Sequence, residues 1–335
     1  MIQIYGTFGP ACAAEQTIEA MFHAGMTGMR LNLSHTGLKE SAHMVEAFHR
    51  AARKVGVEPK LLIDMQGPEL RIGVLEAPVE LTQGGTALLG LGGIPVPKQV
   101  LPVCSAGDEL LLDDGKISLK VTENRGDSLL CRVQRGGQLT GRKSLKLKNP
   151  DVHLEMPVLT EHDLRNLRLA KQYGVTGLMQ PFVHSGEQLR KVRQALKDCG
   201  AGDLQIFAKV ETVEGVRNLT DILPYADELI IARGDLGNDL PLWELPGVQK
   251  YIAGKCRRNG IPFMVVTQML ASMEHSAVPT RAEVSDIFNA VTDGASSVMV
   301  TGETAVGEYP VEAIRYLSNT ARSALEWRRG FLAEN

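Results

Sequence analysis

The chain has 335 residues, 44% of them apolar, with 36 Lys and Arg against 39 Asp and Glu for a formal charge of −3. That length and apolar share allow one large core plus a modest accessory domain and exclude a disordered or fibrous chain. Charges of both signs interleave without a basic face, which argues against nucleic acid as a partner, and no stretch approaches the roughly 20 consecutive apolar residues that span a bilayer.

The amino terminus opens into an apolar run, Ile2 to Thr7, rather than a basic leader, so a cytoplasmic protein is expected. That run ends at Gly9 and Pro10. A helical pattern follows from Glu15 to His23, with Ile18, Met21 and Phe22 on one side. The second apolar run, Gly28 to Leu33, ends at Ser34. A second helical pattern, Glu40 to Val55, aligns Met44, Phe48, Ala51 and Ala52, and the third run, Lys60 to Ile63, ends at Asp64.

From about Ile72 to Asp151 this alternation breaks. The segment carries Val79-Glu80-Leu81, a glycine and proline loop around Gly90 to Pro97, and the runs Glu109 to Leu112, Ile117 to Val121 and Leu129 to Val133. With turn signals at Asp114-Gly115 and Gly136-Gly137, it reads as a small all-β module. Five more runs then resume the first pattern. They are Gly177 to Met179 ending at Gln180, Leu204 to Ala208 ending at Lys209 and Glu211, and Glu228 to Ala232 ending at Arg233 and Asp235. The last two are Phe263 to Val266 ending at Thr267 and Ser297 to Val300 ending at Thr301 and Glu303.

Eight apolar runs that each end in a polar or glycine-rich cluster predict an α/β fold, a (β/α)8 TIM barrel, with an all-β lid domain inserted after the third barrel strand. Removing the insertion leaves about 255 residues, the usual size of such a barrel. The predicted division is 1–71 with 152–335 for the barrel and 72–151 for the lid. All strand ends then meet at one rim, where residues far apart in sequence share a pocket.

At that rim Lys209 and Glu211 stand two apart, so both side chains point to one side, suited either to an anionic, metal-bound substrate or to a structural salt bridge. Asp235, inside the glycine-bracketed turn Ala232-Arg233-Gly234-Asp235-Leu236-Gly237, adds a second carboxylate. Two carboxylates on adjacent strands suit a divalent cation such as Mg2+ better than any of the eight histidines do. Arg30 and Arg71 fit phosphoryl recognition or pairing with a rim carboxylate. Asn32, Ser34 and Asp64 offer oxygen donors or turn caps. The odd, widely spaced Cys12, Cys104, Cys131, Cys199 and Cys256 suggest neither zinc nor disulfides.

The chain resembles the pyruvate kinase family. The matching segments are Thr7-Phe8-Gly9-Pro10-Ala11, Arg30-Leu31-Asn32-Leu33-Ser34-His35, Asp64 with Gly67-Pro68-Glu69-Leu70-Arg71, Asp113-Asp114-Gly115 and Lys209-Val210-Glu211. Ala232 to Gly237, Thr267-Gln268-Met269-Leu270, Pro279-Thr280-Arg281-Ala282-Glu283 and Gly302-Glu303-Thr304-Ala305 complete the set. The resemblance implies phosphoryl transfer between phosphoenolpyruvate and a nucleoside diphosphate, giving pyruvate and a nucleoside triphosphate such as ATP. It implies Mg2+ or Mn2+ on Glu211 and Asp235, and Lys209 and Arg30 on the phosphoryl group. K+ would lie among Asn32, Ser34, Asp64 and the Met65 carbonyl, with Glu69 in the position that accompanies K+ dependence. Arg71 and the backbone of Ala232, Arg233, Gly234 and Asp235 would bind substrate, Thr267 would lie near the protonated carbon, and Thr301 and Glu303 would relay the proton. Arg30, His35, Asp114 and Lys143 would meet the nucleotide, the last two from the lid.

The sequence departs from the family pattern at several points. Met65-Gln66 stands for Thr-Lys, which removes a cation near the phosphate site, Thr36 stands for Gly, Gln180-Pro181 for Ala-Ser, and Thr301 for Ser. No regulatory α/β domain follows the last barrel helix, so the usual effector control is not expected and a homo-oligomer would form through barrel contacts. Two alternatives follow: a barrel repurposed for another keto acid or acceptor, and a catalytically silent binding protein.

Overall fold

Parallel strands buried on both faces read as short apolar runs, because helices cover one side and the other strands' side chains the other. The computed structural model, which describes residues 2–34, 36–67, 70–113, 115–149 and 157–334, contains eight such strands closed into a barrel. The chain enters through β1 (Gln3–Thr7), α1 (Glu15–His23), β2 (Gly28–Asn32), α2 (Ala42–Val55) and β3 (Lys60–Asp64). The inserted module contributes β4 (Val79–Leu81), β5 (Thr86–Gly90), β6 (Glu109–Leu112), β7 (Ile117–Asn124), β8 (Ser128–Arg135), β9 (Gly137–Leu139) and β10 (Leu145–Lys148). The barrel resumes with α3 (Glu161–Ala170), β11 (Gly177–Gln180), α4 (Gly186–Asp198), β12 (Gln205–Val210), and the short α5 (Val213–Arg217) and α6 (Leu219–Ile222). It finishes with β13 (Glu228–Ala232), α7 (Arg233–Asp239), α8 (Leu245–Asn259), β14 (Phe263–Val266), α9 (Arg281–Thr292), β15 (Ser297–Met299), α10 (Gly302–Ala305) and α11 (Pro310–Glu334).

The barrel order is β1-β15-β14-β13-β12-β11-β3-β2, and every pairing is parallel. Alternation along each strand separates two apolar layers. Tyr5, Leu62, Met179, Phe207, Ile230, Met264 and Met299 fill the barrel. Their neighbours, Leu61, Ile63, Ile206 and Ala208 among them, pack outward beneath the helices. At the closing seam the Thr7 amide donates to Thr304 Oγ1 at 2.8 Å and the Thr304 hydroxyl donates back to the Thr7 carbonyl at 3.0 Å. A Cβ at Gly9 would come within 2.2 Å of the Ala305 carbonyl oxygen, so only glycine lets the turn after β1 lie against α10. Among the described residues no helix is long and apolar enough to cross a membrane.

The chain divides into two compact units, Met1–Gly67 with Val158–Asn335, and Pro68–Pro157. The second unit holds an antiparallel sheet in the order β10-β6-β7-β8-β5 and a separate β4–β9 pair around Leu89, Leu110, Leu112, Leu119, Leu129 and Cys131. Three of its strands go beyond the sequence reading. Leu145–Lys148 pairs with β6, and Thr86–Gly90, ahead of the predicted glycine and proline loop, is a strand because Leu88 and Leu89 find partners in Leu130 and Leu129 of β8. Gly137 opens β9 rather than closing a turn. A Cβ on its neighbour Gly136 would lie 2.1 Å from the Leu81 carbonyl, so glycine serves close backbone approach by β4.

Candidate active site at the barrel mouth

Past Phe207, which fills the barrel, the period-2 alternation of β12 brings Lys209 and then Glu211 to the same inner face at the carboxyl end. On β3 the same step from Leu62 leads to Asp64, and Arg30 comes from β2, whose Asn32 pairs with Asp64 in register. These four side chains meet. Lys209 Nζ lies 2.9 Å from Glu211 Oε1 and 3.3 Å from each Asp64 carboxylate oxygen. Arg30 holds Asp64 Oδ2 through Nε at 2.8 Å and Nη2 at 2.7 Å. Both carboxylates are almost wholly buried, and Glu211 Oε2 also accepts the Phe182 amide at 2.7 Å.

The charges are unequally shared. Burial pushes the Asp64 carboxyl up, but the Lys209 and Arg30 cations outweigh it and hold the group below the usual carboxylate range. Burial opposes the Lys209 charge, yet Asp64 first and Glu211 second raise that ammonium above its ordinary value. Glu211 receives only part of the Lys209 charge. Its burial, with repulsion from Asp235 added, raises it to about 7.

A buried carboxylate raised by a second one nearby is a place where a cation relieves repulsion. Among the described residues no three His, Cys, Asp or Glu side chains gather as a metal cage. A cation between Glu211 and Asp235 would therefore complete its shell with substrate oxygens and water, as Mg2+ does, and the donor set fits that ion. Asp235 lies in the first turn of α7, so the segment read as a glycine-bracketed turn is a short helix beginning at Arg233.

The strand end of β14 is strained. Thr267 and Gln268 both have positive φ, 75° and 54°, which for a β-branched residue costs on the order of 1–3 kcal/mol. Arg233 and Glu303 hold this turn. The Thr267 carbonyl accepts from Arg233 Nη2 at 2.7 Å, while Arg233 Nη1 reaches Asp286 of α9 at 2.7 Å. Glu303 Oε1 accepts the Leu270 amide at 3.0 Å and its Oε2 the Thr301 amide at 2.7 Å. A Cβ at Gly234 would come within 3.1 Å of Thr267 Cγ2, so the Thr267 side chain faces the glycine of the α7 turn. The resemblance implies substrate contact through the Arg233 backbone; its guanidinium is engaged with the β14 turn and α9, through a partner 53 positions away that no local pattern reveals.

Asn32 Oδ1 accepts the Ser34 amide at 3.1 Å, the turn-capping contact, and the Leu33 amide reaches the Asp64 carbonyl at 2.9 Å. Asn32 and Asp64 pair at the ends of β2 and β3, with Ser34 and Met65 just beyond, and their carboxamide, carboxylate, hydroxyl and backbone carbonyl oxygens are of the hard kind an alkali cation takes. Sequence reasoning missed the residues bracing these turns, His162, Asp163 and Asn166, because at the start of a helix they look like ordinary caps and surface groups.

Arg71 and Lys143 belong to the second unit. There Arg71 forms a bridge with Ser144 and donates to the Arg142 carbonyl at 2.9 Å. Lys143 pairs with Asp113 at 2.8 Å, beside the Asp114 named from sequence. His35, Glu69 and Asp114 lie outside the described residues.

Comparison with known proteins gives a family match over most of the chain. The model for the pyruvate kinase barrel domain matches residues 1–314. A pyruvate kinase of Bacillus licheniformis is 35% identical over 335 residues, covering 97% of this chain and 57% of that protein. One from Geobacillus stearothermophilus is 35% identical, covering 97% of this chain and 58% of its own length. One from Aeropyrum pernix is 36% identical over 328 residues, covering 96% and 70%. The chain therefore spans well under two thirds of the first two relatives.

Proposed function

Because the chain belongs to the pyruvate kinase family, we propose that it transfers a phosphoryl group from phosphoenolpyruvate to a nucleoside diphosphate. The observation that carries this reading is the half-buried Lys209 ammonium, held between Glu211 and Asp64 with Arg30 beside it. Phosphoryl transfer asks for positioning and charge neutralisation rather than covalent help, and this cluster supplies both.

Glu211 and Asp235 would hold Mg2+ or Mn2+; the chemistry such an ion supplies when bound is neutralisation of substrate oxygens. Lys209 and Arg30 stabilise the phosphoryl oxygens in transfer. First-turn amides of a helix have no intrahelical acceptor, so those of Gly234 and Asp235 suit the substrate carboxylate. As the bond between the substrate's oxygen and phosphorus breaks, the nucleotide oxygen bonds to phosphorus. The methylene carbon then gains a proton from the Thr267 hydroxyl, replenished from solvent past Thr301 and Glu303. Asn32, Ser34, Asp64 and the Met65 carbonyl would hold K+. Arg71 would serve substrate, and His35, Asp114 and Lys143 the nucleotide.

The purified chain given phosphoenolpyruvate, ADP, Mg2+ and K+ should form pyruvate and ATP in equal amounts. Mg2+-dependent binding of pyruvate or oxalate without nucleotide binding would replace this reading with a keto-acid enzyme of another acceptor.

A further inference from the structure

The turns after β2 and β3 lie beyond their strand ladders, so their backbone groups need partners from elsewhere. One turn of α3 provides them. His162 Nε2 lies 3.0 Å from the Leu33 carbonyl and 3.2 Å from the Thr36 carbonyl, and two carbonyl acceptors require that nitrogen to carry a proton. Four residues on, Asn166 Oδ1 accepts the Leu38 amide at 2.8 Å, and its own amide nitrogen donates to the His162 carbonyl at 3.0 Å. Asp163, fully buried, accepts the Gln66 amide at 2.9 Å and the Gly67 amide at 3.2 Å. The same carboxylate caps α3 through the Thr160 amide and hydroxyl, both at 2.8 Å.

The two turns are also tied to each other and to β11. Leu33 donates to the Asp64 carbonyl at 2.9 Å, and Met65 to the Met179 carbonyl at 3.1 Å. Gly67 has φ 61°, and a Cβ there would come within 2.4 Å of Pro181 Cγ. Segments 32–34 and 64–67 therefore have one arrangement, gripped edge to edge and clamped by a single helical turn.

We propose that His162, Asp163 and Asn166 are positioning residues for the monovalent cation assigned above to Asn32, Ser34, Asp64 and Met65. The inference rests on that assignment. One of those donors is a backbone carbonyl in the turn Asp163 grips, and the side-chain donors at 32 and 34 adjoin the turn that His162 and Asn166 grip. A cage selects an alkali cation by radius only while its oxygens keep their spacing, and these three residues fix that spacing without touching the ion.

The test uses the whole chain without substrates, following the midpoint of thermal unfolding against KCl, with tetramethylammonium chloride holding ionic strength constant. The wild type should show a rise specific to K+. In Asp163→Asn and in Asn166→Ala the K+ concentration giving half of that rise should increase about 10- to 100-fold, the usual effect of losing an outer-sphere support. The separate rise produced by Mg2+ with oxalate should stay as in the wild type, which also certifies that the variant is folded. His162→Gln, which keeps a donor toward the two carbonyls, should stay near the wild-type K+ response, and His162→Ala should not. Folded variants with an unchanged K+ half-point would overturn the positioning role while leaving the cation assignment standing. A wild type that does not distinguish K+ from tetramethylammonium would overturn the assignment itself, and the inference with it.

Discussion

Lys209 divides one positive charge between two buried carboxylates, and the division leaves Glu211 the weaker claimant. Without a metal, burial and Asp235 raise Glu211 from its ordinary 4.5 to about 7. A carboxyl whose folded value is raised favours the fold below the unfolded value, and that contribution is lost as pH rises through the folded one. Glu211→Gln carries no such ionisation. In metal-free protein its melting temperature relative to the wild type should therefore climb between pH 5 and pH 8, and scanning fluorimetry in chelator would show it; a difference that stays flat would contradict the assigned electrostatics. Saturating Mg2+ should shrink the effect, because the cation favours the ionised form. The Lys209 and Glu211 pair was legible in sequence because strand periodicity alone puts both on one face. Their competition with Asp64, which lies 145 positions before Lys209, was not.

At the scale of elements, the start of α9 does more than begin a helix. Thr280 caps it, accepting the Glu283 amide, while Glu283 accepts the Thr280 amide at 2.8 Å and the Ser272 amide at 2.7 Å. Burial raises Glu283, but the Ser272 hydroxyl first, then the Ser272 and Thr280 amides and the Thr280 hydroxyl, outweigh it and hold the carboxyl below its usual range. One turn later Asp286 fixes Arg233, and through it the Thr267 carbonyl. Thr280→Ala should cost about 0.5–2 kcal/mol in denaturant unfolding, the range for a lost N-cap. Asp286→Ala should cost less stability than activity, since it frees the guanidinium that holds a strained turn; kcat falling with little change in unfolding midpoint is the expected pattern, and the reverse would make the contact merely structural. Thr280 and Glu283 stood in the sequence only as part of a family segment, although Thr-x-x-Glu is also the spacing of a capping box. The barrel strands were readable, because double-sided burial leaves apolar runs. Thr86–Gly90 and Gly137–Leu139 were not, since glycine marks close approach as well as turns and only the distant partners β8 and β4 decide which.

For the whole molecule, two separate apolar cores underlie the two units, one built on the barrel and its helices and one on the module's leucines. Two cores joined at two chain crossings need not melt together, so the calorimetric enthalpy of unfolding should exceed the van't Hoff enthalpy. Equal enthalpies would mean a single cooperative unit. The barrel brings residues from six strands and the turns after them to one mouth, a gathering the sequence announced through runs that end in polar clusters. The braces behind the mouth were silent in sequence because each is a single side chain reaching backbone groups in another segment. If this mouth transfers phosphoryl groups through Lys209, the steady-state rate of pyruvate and ATP formation from phosphoenolpyruvate and ADP, with Mg2+ and K+, should separate wild type from Lys209→Met at equal folded concentration. The wild type should turn over and the variant should lose at least about 100- to 1,000-fold; turnover that survives the substitution, or none in the wild type, would rule that role out.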